Sequence, residues 1–172
     1  MNKSIIIING SGGVGKDTFC EMVDKVSGYQ CDIYSSVQFV KELAKECGWN
    51  GAKEEKDRKF LSDLKDLLTE YNDLPFKKVC KEIDSFLDCE NTILLFIHIR
   101  EPKEIQRVVD RYGSIVKTLL IENPNVEQVV GNHADEEVNN YSYDLYISND
   151  GTLDDLRQCA EHFYYELKQG II

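Results

Sequence analysis

Ile5-Ile6-Ile7-Ile8-Asn9-Gly10-Ser11-Gly12-Gly13-Val14-Gly15-Lys16-Asp17-Thr18 sets an uninterrupted apolar run directly before a turn holding four glycines, with a lysine where a helical pattern begins. Such a run suits a strand covered on both faces. Small residues after it let successive backbone N–H groups turn inward around a polyphosphate, while the next helix points the positive end of its dipole at the same charge. Lys16 then reaches the β and γ oxygens. A turn without an anionic ligand leaves Lys16 unexplained, because a cation at a helix start opposes the dipole. In the usual form, GxxxxGK[ST], the residue after the lysine carries a hydroxyl that ligates Mg²⁺. Here that residue is Asp17, and Thr18 stands one place later. A carboxylate is a harder and stronger oxygen ligand than a hydroxyl, and it repels phosphate when the metal is absent. The motif therefore predicts strict metal dependence, with Thr18 offering its hydroxyl and N–H to the α-phosphate.

Outward from this motif the periodicity alternates. Phe19, Met22, Val23 and Val26 share one helical face up to Gly28, Asp32 to Ser35 reads as a strand, and Val37, Val40, Ala44 and Cys47 form a helical stripe ending at Gly48. Two further helices follow, one striped by Phe60, Leu61, Leu64, Leu67, Leu68 and Tyr71, the other by Phe76, Val79, Cys80, Ile83, Phe86 and Leu87 and opened by Pro75. Both are expected to pack against apolar surface. Thr92 to Ile99 is continuously apolar and predicts the central strand of a parallel sheet. A helix through Ile105, Val108, Val109 and Tyr112, a strand over 115–121, a polar stretch over 122–140, a strand over 143–147 and a helix striped by Leu153, Leu156, Ala160, Phe163, Tyr164 and Leu167 complete the chain. Alternation of this kind predicts right-handed crossovers and a parallel sheet. The expected fold is one α/β domain over 1–172, a three-layer α/β/α sandwich with five strands and ligands at their carboxyl ends.

Composition narrows the partners. The chain has 172 residues, 42% hydrophobic and 30% charged, which is ordinary for a globular protein. A formal charge of −11 argues against a nucleic-acid polymer or an anionic membrane as partner. Cys20, Cys31, Cys47, Cys80, Cys89 and Cys159 contain no CxxC pair and read as reduced core thiols. Four isoleucines are too few for a signal-peptide core or a membrane span, so a cytoplasmic protein is expected.

Phosphoryl transfer requires in-line positioning and positive charge around the moving group. Arg100 directly follows the apolar 92–99 run and is expected beside the loop, although a surface pairing with Glu101 or Glu104 also fits it. Ser35 and Ser36 follow the second strand. Arg58 either approaches an acceptor phosphate or belongs to the solvated face Lys53-Glu54-Glu55-Lys56-Asp57-Arg58. Arg107 and Arg111 lie one turn apart, and Arg111 either reaches phosphate or satisfies helix-end carbonyls. Asn132, His133, Asp135 and Glu136 cluster in the polar stretch, a lid-like segment that could close over substrate, in which a lone histidine is more often a solvated side chain than an acid or base. Asn149-Asp150-Gly151-Thr152 reads both as a turn with a threonine helix cap and as a border to a nucleotide base. No Asn-Lys-x-Asp box is present, and the 92–99 run ends His98-Ile99-Arg100 rather than in a Walker B aspartate. These absences disfavour GTPases and motor or transporter ATPases and leave a small-molecule kinase.

Gly15-Lys16-Asp17-Thr18 resembles the variant loop of the phage-type deoxynucleoside monophosphate kinases and of the animal-type phosphomevalonate kinases, both P-loop kinases. The resemblance extends loosely over most of the chain, through Ile99-Arg100-Glu101-Pro102-Lys103-Glu104-Ile105-Gln106, Asp135-Glu136-Glu137, and the run from Tyr143 to Gly151. It implies a P-loop kinase fold with strand order 2-3-1-4-5. It also implies ATP as donor, Mg²⁺ as cofactor held at Asp17, and a phosphorylated small-molecule acceptor received by a helical region at about 36–90. The site set it implies comprises Lys16, Asp17 and Arg100 for transfer, Gly10, Gly12, Gly13, Gly15, Lys16, Asp17, Thr18, Asn149 and Gly151 for ATP, and Ser35, Ser36, Arg58 and Arg111 for the acceptor. A nucleoside monophosphate is the foremost acceptor, with phosphomevalonate, dephospho-coenzyme A or simple nucleotide binding as alternatives, in a monomer or homodimer. Related kinases bring arginines from the lid, whereas 122–140 contains none.

Overall fold

The N-terminal apolar run forms β1 (Ser4–Asn9), with Ile5 to Ile8 at most 1% exposed. A computed structural model describes residues 3–52, 54–126 and 138–172. Within them strands and helices follow as α1 (Lys16–Ser27), β2 (Cys31–Ser35), α2 (Gln38–Glu46), α3 (Glu55–Asn72), α4 (Leu74–Asp88), β3 (Leu94–His98), α5 (Pro102–Tyr112), β4 (Val116–Glu122), β5 (Leu145–Ser148) and α6 (Leu153–Gln169). The strands are all parallel in the order β2-β3-β1-β4-β5, as expected. The middle strand is β1, not the strand of the 92–99 run. Because β3 lies between β2 and β1 and is covered on both faces, its composition does not distinguish it from the centre.

Side chains alternate across the sheet and divide the core in two. Ile5, Ile7, Leu95 and Ile97 pack with Val79, Ile83 and Phe86 of α4 and Ile105 and Val108 of α5. Ile6, Ile8, Phe96 and Leu119 face Phe19 and Val23 of α1 and Leu156, Ala160 and Phe163 of α6. The Phe19 ring meets those of Phe163 and Phe96 edge-on, at centroid distances of 5.4 and 6.3 Å. Thr118, buried in β4, donates its hydroxyl and backbone N–H to the Asp144 carboxylate, each at 2.8 Å, and so anchors β5. The Lys3 ammonium donates to the carbonyls of Phe86, Leu87 and Cys89, a cation at the negative end of α4.

Two sequence expectations change here. The α3 stripe does not find the apolar cover predicted for it: no α3 residue is fully buried, and Leu67 and Tyr71 are 63% and 81% exposed. The helix packs on α2 and α4 rather than on the sheet, so only one flank of its stripe is sheltered. Cys47 is exposed rather than a core thiol, because it caps α2 beyond the last buried residue, Ala44. Cys20 and Cys80 are buried, and all six thiols are free. No helix among the described residues is long and apolar enough to cross a membrane.

Candidate active site

The strand registers bring Asn9, Ser35, His98 and Ser148 to one edge of the sheet. The glycine-rich loop rises from that edge, and two of its glycines are fixed by packing. Gly10 has φ 141°, and a Cβ there would lie 2.2 Å from the Ile121 carbonyl oxygen. Gly15, the N-cap of α1, has φ 97°, and its Cβ would lie 2.5 Å from Asn149 Nδ2. Gly12 differs, since a Cβ there meets nothing within 4 Å. Its smallness leaves open space above the loop, which fits a polyphosphate approaching the backbone closely. Gly13 is exposed at φ 85°. No side chain caps the start of α1, which keeps that helix end suited to an anion. Lys16 arches back so that Nζ donates to the carbonyls of Gly10 at 2.6 Å and Ser11 at 2.7 Å. Its ammonium is thereby held over the loop.

A buried amide sets the loop against the neighbouring strand. Asn9, fully buried, accepts the Gly10 N–H at Oδ1 (2.8 Å), and its Nδ2 donates to the Arg100 carbonyl (3.0 Å) and the Tyr143 hydroxyl oxygen (2.7 Å). The Tyr143 hydroxyl donates in turn to the Val138 carbonyl at 2.8 Å. Arg100 therefore leaves β3 beside the loop, where the sequence places it. Asn9 and Tyr143 did not figure among the sequence candidates, since a strand-end asparagine carries no signal of the partners a fold will give it.

Asp17, on the first turn of α1, is exposed, and its Oδ1 lies 3.7 Å from Nε2 of the largely buried His98. Burial holds the His98 imidazole below the usual histidine range; Asp17 opposes this shift, while Lys16, Arg100 and Lys41 add to it. The ring is accordingly neutral near pH 7, and its contact with Asp17 is that of a dipole with a carboxylate. Cys20 Sγ lies 3.9 Å from the same nitrogen, and burial pushes its thiol well above the usual range, so it stays protonated. In the sequence, His98 marks only the absence of a Walker B aspartate. Its place opposite Ile8, one residue before the loop's base, depends on β3 pairing with β1, which the sequence alone does not carry. Among the described residues no three His, Cys, Asp or Glu side chains come together as a metal cluster. Asp17 puts a carboxylate on the first turn of α1, and one such donor suits an ion otherwise ligated by phosphate oxygens and water.

On the other side of Arg100, Ser35 ends β2 and the Ser36 N–H donates to the His98 carbonyl at 3.0 Å. Ser36, Lys65, Phe76, Ile99 and Glu101 line a small crevice between α3, α4 and the end of β3. Lys65 and Glu101 form a half-buried ion pair across it. Arg58 is exposed on the first turns of α3. Arg107 serves the scaffold: it pairs with Asp73 at the α3–α4 junction and with Glu104 at 3.0 Å, and stacks 3.7 Å over the Phe76 ring. Arg111 is not brought to the loop. It lies in the last turn of α5, which returns the chain to the opposite edge of the sheet, where Val116 pairs with Ile5.

On the β4 side, a cavity of about 400 Å³ is lined by Gly10, Ser11, Glu122, Pro124, Val126 and Ser148, among others. Asn149 borders the loop from below, donating through Nδ2 to the Val14 carbonyl at 2.9 Å, and is thus a brace for the loop. Gly151 is exposed, and Thr152 caps α6, accepting from the Asp155 N–H while the Asp155 carboxylate accepts the Thr152 N–H. Asn132, His133, Asp135 and Glu136, with most of the lid-like stretch, lie outside the described residues.

Scans of the chain against protein-family models and curated proteins return no match. Solved structures do match in fold. A tunicamycin resistance protein from Deinococcus radiodurans superposes with a TM-score of 0.54 at 14% identity, over 96% of each chain. A gluconokinase from Sinorhizobium meliloti gives 0.53 at 9% identity, over 98% of this chain and 95% of that one. A sugar kinase from Janibacter gives 0.53 at 12% identity, over 93% and 92%. At these identities the likeness concerns architecture: the chain has the five-stranded α/β fold of P-loop kinases.

Proposed function

We propose that this chain is an Mg²⁺- and ATP-dependent phosphotransferase that extends a small phosphorylated acceptor, foremost a (deoxy)nucleoside monophosphate, to the diphosphate. One observation carries the reading. Asn9 ties a glycine loop, open above Gly12 and crowned by Lys16, to the backbone of Arg100, so that Lys16 and Arg100 leave neighbouring strands at one edge of the sheet. Lys16 holds the β and γ oxygens, and the α1 amides with Thr18 hold the α-phosphate. The donor nucleoside lies toward Asn149, Gly151 and the β4-side cavity. Arg100 neutralises the phosphates that approach each other, and Ser35, Ser36 and Arg58 face the acceptor. Asp17 is the residue that would hold Mg²⁺, which when bound supplies further neutralisation of the transferred group. An acceptor phosphate oxygen forms its bond to the γ-phosphorus as the bond to the β–γ bridging oxygen breaks, a reaction that asks the protein for alignment and charge more than for covalent chemistry.

The test is a coupled assay of ADP formation with ATP, Mg²⁺ and each nucleoside monophosphate in turn, with phosphomevalonate and dephospho-coenzyme A as further acceptors. Acceptor-dependent ADP with one or a few nucleotides is the expected result. Tight ATP binding without turnover for any acceptor would replace the phosphotransferase with a nucleotide-binding module.

A further inference from the structure

In P-loop NTPases the divalent ion is held by a loop hydroxyl and by a carboxylate at the end of a Walker B strand. Both positions differ in this chain, and in complementary ways. The loop carries the carboxylate, Asp17, and β3, the strand beside β1, ends in His98, whose Nε2 is 3.7 Å from Asp17 Oδ1. The His98 side chain is 15% exposed and wedged against Cys20, whereas Asp17 is 89% exposed. The imidazole is thus the fixed member of the pair. A 3.7 Å gap exceeds a hydrogen bond, and the exposed carboxylate is the group with room to close it.

We propose that His98 is a positioning residue whose Nε2–H orients the Asp17 carboxylate for the divalent ion that accompanies ATP, so that the loop supplies the carboxylate and the strand the group that orients it. The inference rests on the phosphotransferase reading for the ion's remaining ligands. Without a fixed partner, an exposed aspartate on a helix surface samples several rotamers, and only some direct an oxygen toward the loop. Groups that hydrogen-bond a ligating side chain restrict it in this way, and losing them typically lowers metal affinity about 10- to 100-fold.

Calorimetry with a non-hydrolysable ATP analogue, in EDTA and across separate Mg²⁺ and Mn²⁺ titrations, tests this on wild type, His98→Ala and His98→Gln, with melting temperatures recorded for each. His98→Ala is expected to bind the analogue in EDTA within about twofold of wild type, while the Mg²⁺ concentration that half-maximally tightens binding rises about 10-fold or more. His98→Gln, which offers an amide N–H from a similar place, recovers most of that loss. Equal weakening with and without Mg²⁺ would make His98 a packing residue and overturn the proposal. A loss confined to Mn²⁺, with the Mg²⁺ response intact, would make the imidazole itself a ligand and overturn it too. No analogue binding by wild type under any condition would remove the phosphotransferase reading, and this inference with it.

Discussion

Gly12 and Gly15 stand three residues apart and answer to opposite demands. Gly15→Ala forces a methyl to 2.5 Å from Asn149 Nδ2 at a left-handed φ, and is expected to cost about 1–3 kcal/mol in thermal or urea unfolding. Gly12→Ala has open space around it and should leave stability within about 0.5 kcal/mol. It should nevertheless weaken ATP-analogue binding by about tenfold, or about 1.4 kcal/mol, because the methyl occupies the approach to the loop. Lys16→Met should lower phosphoryl transfer by about 10²–10³-fold or more with unchanged circular dichroism; near-normal turnover would disprove its role. The places of Lys16 and Gly15 at the loop, and of Arg100 just past β3, were legible in the sequence, because a glycine-rich turn after an apolar run and a residue directly after a second such run both fall at the same edge of a parallel sheet. Asn9, His98 and the bracing role of Asn149 were not, since each depends on which strands become neighbours.

Among the elements, α3 departs furthest from its sequence pattern. Its apolar stripe has the spacing of a core helix, yet Leu67 and Tyr71 face outward, because periodicity reports amphipathicity and not the area available to cover it. Leu67→Ser is accordingly expected to change stability by less than about 0.5 kcal/mol. Ile83→Ala in the neighbouring α4, at a fully buried position, should cost about 2–5 kcal/mol. The Lys65–Glu101 pair ties α3 to the N-cap of α5, just beyond β3. Burial raises the Glu101 pKa, but the Lys65 charge and hydrogen bond outweigh it and hold the carboxyl below its ordinary range. A depressed folded pKa stabilises the protein above the ordinary carboxylate range, and the contribution is lost as pH falls through the folded value. The stability difference between wild type and Glu101→Gln should therefore be largest near neutral pH and shrink below about pH 4, as followed by denaturant unfolding across that range.

For the molecule as a whole, strand count, parallel pairing and strand order followed from the alternation of short apolar runs with amphipathic helices and from the P-loop resemblance. The identity of the middle strand did not follow from composition, because β1 and β3 are equally enclosed. Binding at the strand edge should register globally: Mg²⁺ and ATP at 100 times Kd add about 2.7 kcal/mol, which for a chain of this length raises Tm by about 5–11 °C. The three phenylalanines 19, 96 and 163 lock α1 against sheet and α6, whereas α3 has no fully buried residue. Stiffness is therefore unequal on the two sides of Arg100. Under the proposed function, the side of the described residues that would receive the donor is the more tightly packed, and α3, on the side that would receive the acceptor, is the less. Amide exchange should be slow along α1 and fast along α3, and addition of a productive acceptor should slow α3 while leaving α1 almost unchanged.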